Sequence, residues 1–477
     1  MFHLFTSPAR IRTLALALSL ALASPAQARE PDKLVPTYLI EAVRVQGNEK
    51  TRDWVILHAL LVGPGEQLSV DDPRFEISRL RVLGLGYFAD VRLELKKGSS
   101  RGRVILVVKV MERNTIVLTD LFFGSSEATT LWGGLGLAET NLLGRGISLS
   151  GAFVLGSAPE VDLAGVQQSY LLQLGATRIG GTSLSITSSQ GVVDGSDFFR
   201  RSGAPHSADP TDFLSIRYQR VGGSVIMGFD LARMVRMYVD YRAEYIHAEL
   251  PAGAVLTRPG GTTSPMDFGV MDGGSTLSML GLSLEWDNRS DPVLPHRGTL
   301  LSVSADISSA LIGSGYDFFK LRALVKHYIP VKWGHVLSLQ VVGGVLFGDA
   351  PFFEKFFVGD FNDLVPSRSL RLNFSTLPSR DIFNTAIASK RYEEFALRAS
   401  LEYIIPWFRG GRFFFSGDFF VNAGVFMLTS KEELRVRDQD LSASIPVDLT
   451  LNAGLRLDTY IGVFSLSIGN ALGRIPF

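Results

Sequence analysis

Residues 116–477 keep a two-residue rhythm: short runs alternate apolar with small or polar side chains, separated by Gly, Asn, Asp and Pro. In one run Ile147, Leu149, Phe153 and Leu155 share a face opposite Ser148, Ser150 and Ala152. In another, Leu449, Leu451, Leu455 and Leu457 lie opposite Asn452, Arg456 and Asp458. A period of two specifies strands, because successive side chains of an extended chain point to opposite faces. Charges behind a continuous apolar face imply solvent inside and hydrocarbon outside. Lipid offers backbone groups no partner, so a spanning sheet must close on itself. The pattern predicts an all-β transmembrane barrel. About 360 residues are available, and a strand with its share of turn and loop uses roughly 20 to 24, giving about 16 antiparallel strands.

Composition fits that class. Hydrophobic residues make up 46% of the chain and mean hydropathy is positive. Beyond the N-terminus, however, no apolar run reaches the roughly 18 residues a spanning helix needs. Formal net charge is zero, so nothing pulls the chain toward nucleic acid. Cysteine is absent, which excludes disulfides and thiolate metal sites. Residues 1–28 read as a secretory signal peptide: Arg10 and Arg12, then the apolar stretch Leu14 to Ala23, then Ala26 and Ala28 at a small-residue cleavage site. The alternative is an uncleaved membrane anchor, for which the apolar core is short.

Residues 36–115 follow another pattern. Tyr38 to Gln46 has strand character and ends in the turn pair Gly47-Asn48. Trp54, Val55, Leu57 and Leu61 fall at helical spacing within a helix predicted from Thr51 to Leu61, which Gly63-Pro64-Gly65 stops. A second helix is predicted from Asp71 to Leu83. Two strands follow, Ala89 to Lys96 and Arg103 to Glu112, around a turn at Gly98 to Gly102. This β-α-α-β-β order predicts a small α+β domain on one three-stranded sheet. The segment resembles a POTRA domain, carrying Val45, Gly47, Asn48 and Thr51, then Gly86, Phe88 and Val91, and finally Val110 and Glu112. The last two strands leave an outer edge to which an extended segment could add. The alternative is a domain that only braces or gates the barrel.

Within residues 116–477, Ser196 to Thr211, Pro251 to Thr276 and Gly348 to Ala396 read as extracellular loops, and Asn141 to Gly144 as a tight periplasmic turn. Several segments resemble the outer-membrane-protein-85 superfamily, of the BamA/TamA type. The turn Asn141, Gly144, Gly146 resembles its first hairpin. Asp287, Arg289 and Asp291, with Pro295, Gly298 and Thr299, resemble a second motif hairpin, better read as turn bracing than as a metal cluster. Phe356 to Gly359 resembles the start of its sixth extracellular loop, and Phe419 to Gly424 a lumen-facing strand. The resemblance covers nearly the whole mature chain. It implies a loop-six arginine that reaches a lumenal acid. Here the matching positions, Leu364 to Ser367, hold no arginine. Arg368 follows three residues late, with Arg371 beyond it, and Asn422 stands where the acid is expected. Arg368 is then expected on Asn422 or Asp418, the alternative being a solvated basic loop. Phe477 is a terminal aromatic of the kind that marks many outer-membrane barrels. Gly469, Asn470, Gly473 and Pro476 weaken the strand before it, which either eases parting of the first and last strands or marks a strand ending near Ile468.

No catalytic or cofactor-binding constellation emerges. The seven histidines are scattered, and none forms a His-Glu-x-x-His motif. No Gly-x-Ser-x-Gly elbow is present. The resemblance implies an outer-membrane assembly, insertion or translocation factor with no enzyme activity. Its partners would be unfolded outer-membrane or secreted clients, membrane lipid, and a periplasmic or inner-membrane protein through the POTRA domain. The competing expectation is a pore, adhesin or lipid-transfer barrel on which the POTRA domain is a docking module.

Overall fold

The computed structural model describes residues 37–471 apart from 125–130, 158–165, 178, 180–181, 202–212, 233, 258–260, 292–293, 358–391, 412, 432–433, 435–446 and 460–461. The expected signal peptide at residues 1–28, Arg368, Arg371, Gly473, Pro476 and Phe477 lie outside the described residues.

The N-terminal unit comprises β1 (Thr37–Gln46), α1 (Asp53–Leu57), β2 (Gln67–Ser69), α2 (Pro73–Leu83), β3 (Phe88–Lys97) and β4 (Arg103–Glu112). Its sheet has four strands, not the expected three, in the order β2-β1-β4-β3, with β1 parallel to β4. At three residues β2 is too short to display a period. The first helix is also shorter than its spacing predicts. Beyond Leu57 the turns tighten, with Ala59 N–H donating to the Ile56 carbonyl, and Ser78 Oγ of α2 takes the Leu61 N–H at 3.0 Å. In α2, Asp72 caps the Arg74 N–H at 2.9 Å and Pro73 occupies the first turn, where its missing N–H costs nothing. Ile40, Ile56, Ala59, Val82, Leu106 and Val108 are fully buried between helices and sheet. Each of the larger ones contributes about 1.5–3 kcal/mol of burial. Because β4 is interior, only β3 offers a long open edge.

Among the described residues fifteen strands then pair, each antiparallel to its neighbour, in one sheet. They are β5 (Ile116–Gly124), β6 (Trp132–Glu139), β7 (Ile147–Gly156), β8 (Gln167–Ala176), β9 (Leu184–Arg200), β10 (Phe213–Ala232) and β11 (Val235–Glu249), then, after a small hairpin of β12 (Val255–Thr257) and β13 (Thr263–Pro265), β14 (Gly273–Asp287), β15 (Gly298–Ser308), β16 (Phe318–Pro330) and β17 (Val336–Gly348). A second small pair, β18 (Phe356–Phe357) and β19 (Tyr392–Glu393), precedes β20 (Phe395–Arg409), β21 (Phe414–Thr429), β22 (Val447–Thr459) and β23 (Gly462–Ala471). The end strands β5 and β23 come alongside each other, so the sheet rolls into a barrel.

Side chains obey the two-residue rhythm. Leu149, Phe153, Leu155, Leu282, Leu284, Leu301, Val303, Leu449 and Leu451 face outward, whereas Ser304, Asp306 and Asn452 are buried on the opposite face. The strands run further than the polar composition indicates. Ser196 belongs to β9, Val255 to Pro265 holds the β12–β13 hairpin, and Gly273 to Thr276 begins β14. Polar residues there belong to strand ends, so composition mistakes them for loop.

Ile56→Ala should leave a cavity in the N-terminal unit and cost about 2–5 kcal/mol. Limited trypsinolysis should then cut within residues 37–112 while the barrel keeps its folded migration in unheated gels.

Candidate functional site at the domain joint, lumen and seam

Three features of this fold bear on function, and the first is the joint between the two units. At the end of β1, Gly47 takes φ +89°, and a Cβ there would overlap the Val110 carbonyl. Asn48 Nδ2 donates to the Thr51 carbonyl at 2.9 Å and to Asp53 Oδ1 at 2.6 Å. Glu112, closing β4, accepts the Lys50 and Thr51 N–H groups on its two oxygens at 3.0 and 2.7 Å. The turn so held meets the β6–β7 turn. Asn141 Nδ2 donates to Thr51 Oγ1 at 2.9 Å, and Arg52 N–H donates to the Gly144 carbonyl at 3.0 Å. Asn141 Oδ1 also accepts the Gly146 N–H at 2.8 Å. Gly144 sits at φ +71°, and a Cβ would overlap the Lys50 carbonyl oxygen. Arg81 of α2 adds an ion pair to Asp230 of β10 at 3.0 Å. Burial at this joint pushes the Tyr87 phenol up, opposed by its hydrogen bond with Thr177.

The second is the lumen, which is not wet throughout. Phe352 and Phe353, in the segment leading from β17 to β18, pack with Tyr218 and Phe199 at ring separations of 5.1–6.2 Å. Phe268, Phe356, Phe357, Leu277 and Phe426 complete a buried apolar cluster inside the barrel. Phe356 lies where Gly344 of β17 offers no side chain. Between these rings sits one buried acid, Glu354. Arg242 of β11 donates to Glu354 Oε1, and Lys320 of β16 donates to the Glu354 carbonyl at 2.6 Å. Arg220 of β10 pairs with Glu244 at 2.6 Å and stacks over Phe353, 3.8 Å from its centroid. Strand periodicity expects solvent inside because it speaks only for strand residues. The filling comes partly from a connecting segment and partly from apolar strand residues such as Tyr218, Leu277 and Phe426. Nearer the N-terminal unit the lumen is polar, with a cavity of about 240 Å³ among Arg289, His296, Lys326, Arg409, Asp418 and Arg456.

The third is the seam. Between β9 and β10 the ladder runs from Phe213↔Arg200 to Phe229↔Leu184. Between β5 and β23, among the described residues, no backbone pairing forms. Phe464 to Ile468 of β23 are exposed on both faces. The strands among the described residues number fifteen, so β5 and β23 run the same way and no antiparallel ladder can join them directly.

The sequence-derived residues distribute across these features. Gly47, Asn48, Asn141, Gly144 and Gly146 meet at the joint. Gly86 adopts φ +81° ahead of the buried Phe88. Arg289 clasps Asp287 with Nε and Nη2 at 2.9 and 2.8 Å, and Asp291 Oδ1 accepts the Leu294 N–H at 3.1 Å. The two lumenal acceptors expected for Arg368 are engaged by strand arginines: Asp418 by Arg409 at 2.7 Å and Asn422 by Arg398 at 3.3 Å. Sequence reasoning passed over Glu354, Arg242 and Lys320. The signal available was the single acid in the aromatic run Phe352 to Phe357.

Comparisons with known proteins agree with this geometry. The family model described as the Omp85 superfamily domain matches residues 141–475, and that of POTRA, the surface antigen variable number repeat, matches residues 38–113. The outer membrane protein assembly factor BamA of Nitratidesulfovibrio vulgaris is 24% identical over 333 residues, covering 68% of this chain and 37% of that protein. A putative outer membrane protein assembly factor of Treponema pallidum is 30% identical over 142 residues, 28% of this chain and 16% of that protein. The chain thus spans well under half the length of these relatives. Among solved structures, CdiB from Escherichia coli superposes with a TM-score of 0.57 at 10% identity, covering 91% of this chain and 73% of that one. BamA from Haemophilus ducreyi lacking POTRA domains 1–3 gives 0.50 at 14% identity, covering 91% and 81%.

Two substitutions read these contacts. Gly144→Val should drive the joint apart, costing about 1–3 kcal/mol of backbone strain. Faster protease cleavage near residues 113–115, with the barrel still folded, would report it. Glu354→Ala should leave Arg242 with only its longer, 3.3 Å pair to Glu244 and cost up to about 3–5 kcal/mol. The measurements are a lower temperature for loss of folded gel migration and a higher single-channel conductance in planar bilayers.

Proposed function

The chain belongs to the Omp85 superfamily, and from that premise we propose that it assembles or inserts outer-membrane client proteins by strand addition and lateral opening. The family's members are outer-membrane assembly and translocation proteins that handle client outer-membrane or secreted chains without catalysis. On our reading, a client first adds as a strand to the open edge of β3. The barrel then parts at its seam, and the client pairs with a free edge and passes into lipid.

The observation that carries this reading is the missing ladder between β5 and β23. Elsewhere, parting two strands in lipid would strand many backbone groups at several kcal/mol each. At the seam those bonds are not made, so opening costs little. The polarity follows too. A strand that joins both edges runs opposite to β5 and β23, from the outer surface toward the POTRA domain, and leaves its C-terminus in the periplasm. The aromatic filling around Phe352 disfavours the competing reading of a steady pore, because packed rings take up lumen space that such a pore would use.

The absence of native cysteine makes the test direct. Paired cysteines scanned through Leu118 to Leu121 and Phe464 to Ser467 should, when oxidised, lock the seam and stop client assembly, and reduction should restore it. A locked barrel that still assembles its clients, or a steady conductance beside normal client levels, would remove the lateral-opening mechanism.

A further inference from the structure

The segment joining β4 to β5 contains Arg113, which touches three parts of the molecule. Its N–H donates to the Tyr87 carbonyl at 2.9 Å, immediately before the edge strand β3. Three residues on, the chain enters β5, one side of the seam. Its guanidinium crosses to the other side. There Nη2 donates to Asp458 Oδ1 at 2.8 Å and to the Thr459 carbonyl at 2.9 Å, at the turn end of the β22–β23 hairpin. The same group lies 4.9 Å from the centroid of Phe415 in β21. Only 13% of the Arg113 side chain and 14% of the Asp458 side chain are exposed, so water screens the pair weakly.

We propose that Arg113 is a positioning residue that latches the periplasmic end of the seam and ties its opening to the POTRA domain. The seam has no ladder, so contacts that hold its two sides together must come from side chains. Arg113 supplies one with a charge-assisted, two-acceptor grip on the last described hairpin. The latch is anchored to the residue that precedes the client-binding edge. A strand added along β3 that shifts Tyr87 therefore pulls on Arg113 and loosens the far side. This inference rests on the lateral-opening reading for its use, but its geometry can be tested separately.

The experiment is pulsed electron-spin resonance on full-length protein in liposomes, with labels at Leu121 on β5 and Leu466 on β23. The parent should give one narrow distance distribution. Arg113→Ala and Asp458→Ala should each add a longer component, and the double variant should open no further than either single one, since both remove the same contact. Arg113→Lys keeps the charge but loses the fork, and should open the seam less. A second label pair, Arg101 in the N-terminal unit and Trp333 in the β16–β17 turn, should stay unchanged. Parent-like seam distances in Arg113→Ala, additive effects in the double variant, or broadening of the second pair would each overturn the latch. If the distances shift as expected while a locked seam leaves client assembly intact, the latch stands and the proposed function falls.

Discussion

The barrel is governed by one rule: in hydrocarbon, a backbone N–H or C=O that lacks a partner costs several kcal/mol. Among the described residues fourteen strand-to-strand junctions obey it with antiparallel ladders, some carrying a bulge. The junction between β5 and β23 does not, and the rest of the molecule is arranged around that exception. The wall from β9 to β17 is braced from inside, because Phe352, Phe353 and Glu354 touch β10, β11 and β16 at once. The same buried cluster reaches Val154 of β7 and Phe426 of β21, so packing inside the barrel extends toward both sides of the seam.

The joint shows how short motifs act together across two units. Asn48, Thr51 and Glu112 shape a turn in the POTRA domain, and Asn141, Gly144 and Gly146 shape the turn it docks against. The glycines serve close approach: at Gly144 a side chain would collide with the Lys50 carbonyl. A loose tether would let the open edge of β3 wander. This contact fixes the orientation of β3 to the barrel.

Much of this could be read from the chain itself, for reasons that differ by element. Strands were legible because lipid and lumen impose opposite chemistry on alternate residues, so Leu282 and Leu284 declare the outer face without reference to partners. The two helices of the small domain were legible from spacing, but β2 was not, since three residues carry no period. The lumen filling was illegible for a different reason. Phe352 and Glu354 are placed by tertiary packing against strands more than a hundred residues away, and no local pattern encodes that. Asp418 and Asn422 are buried in β21, and their bonds to Arg409 and Arg398 depend on cross-strand register, which alternation leaves open.

The short pairing of β18 with β19 fastens the entry to β20 onto the packing inside the barrel. Phe356 opposes Glu393 and Phe357 opposes Tyr392, while Tyr392 is itself held by Asp197. Tyr392 also packs on Phe352 at 5.2 Å and on Phe357 at 5.8 Å, so one ring ties the entry to β20 to the inner packing and, through Asp197, to β9.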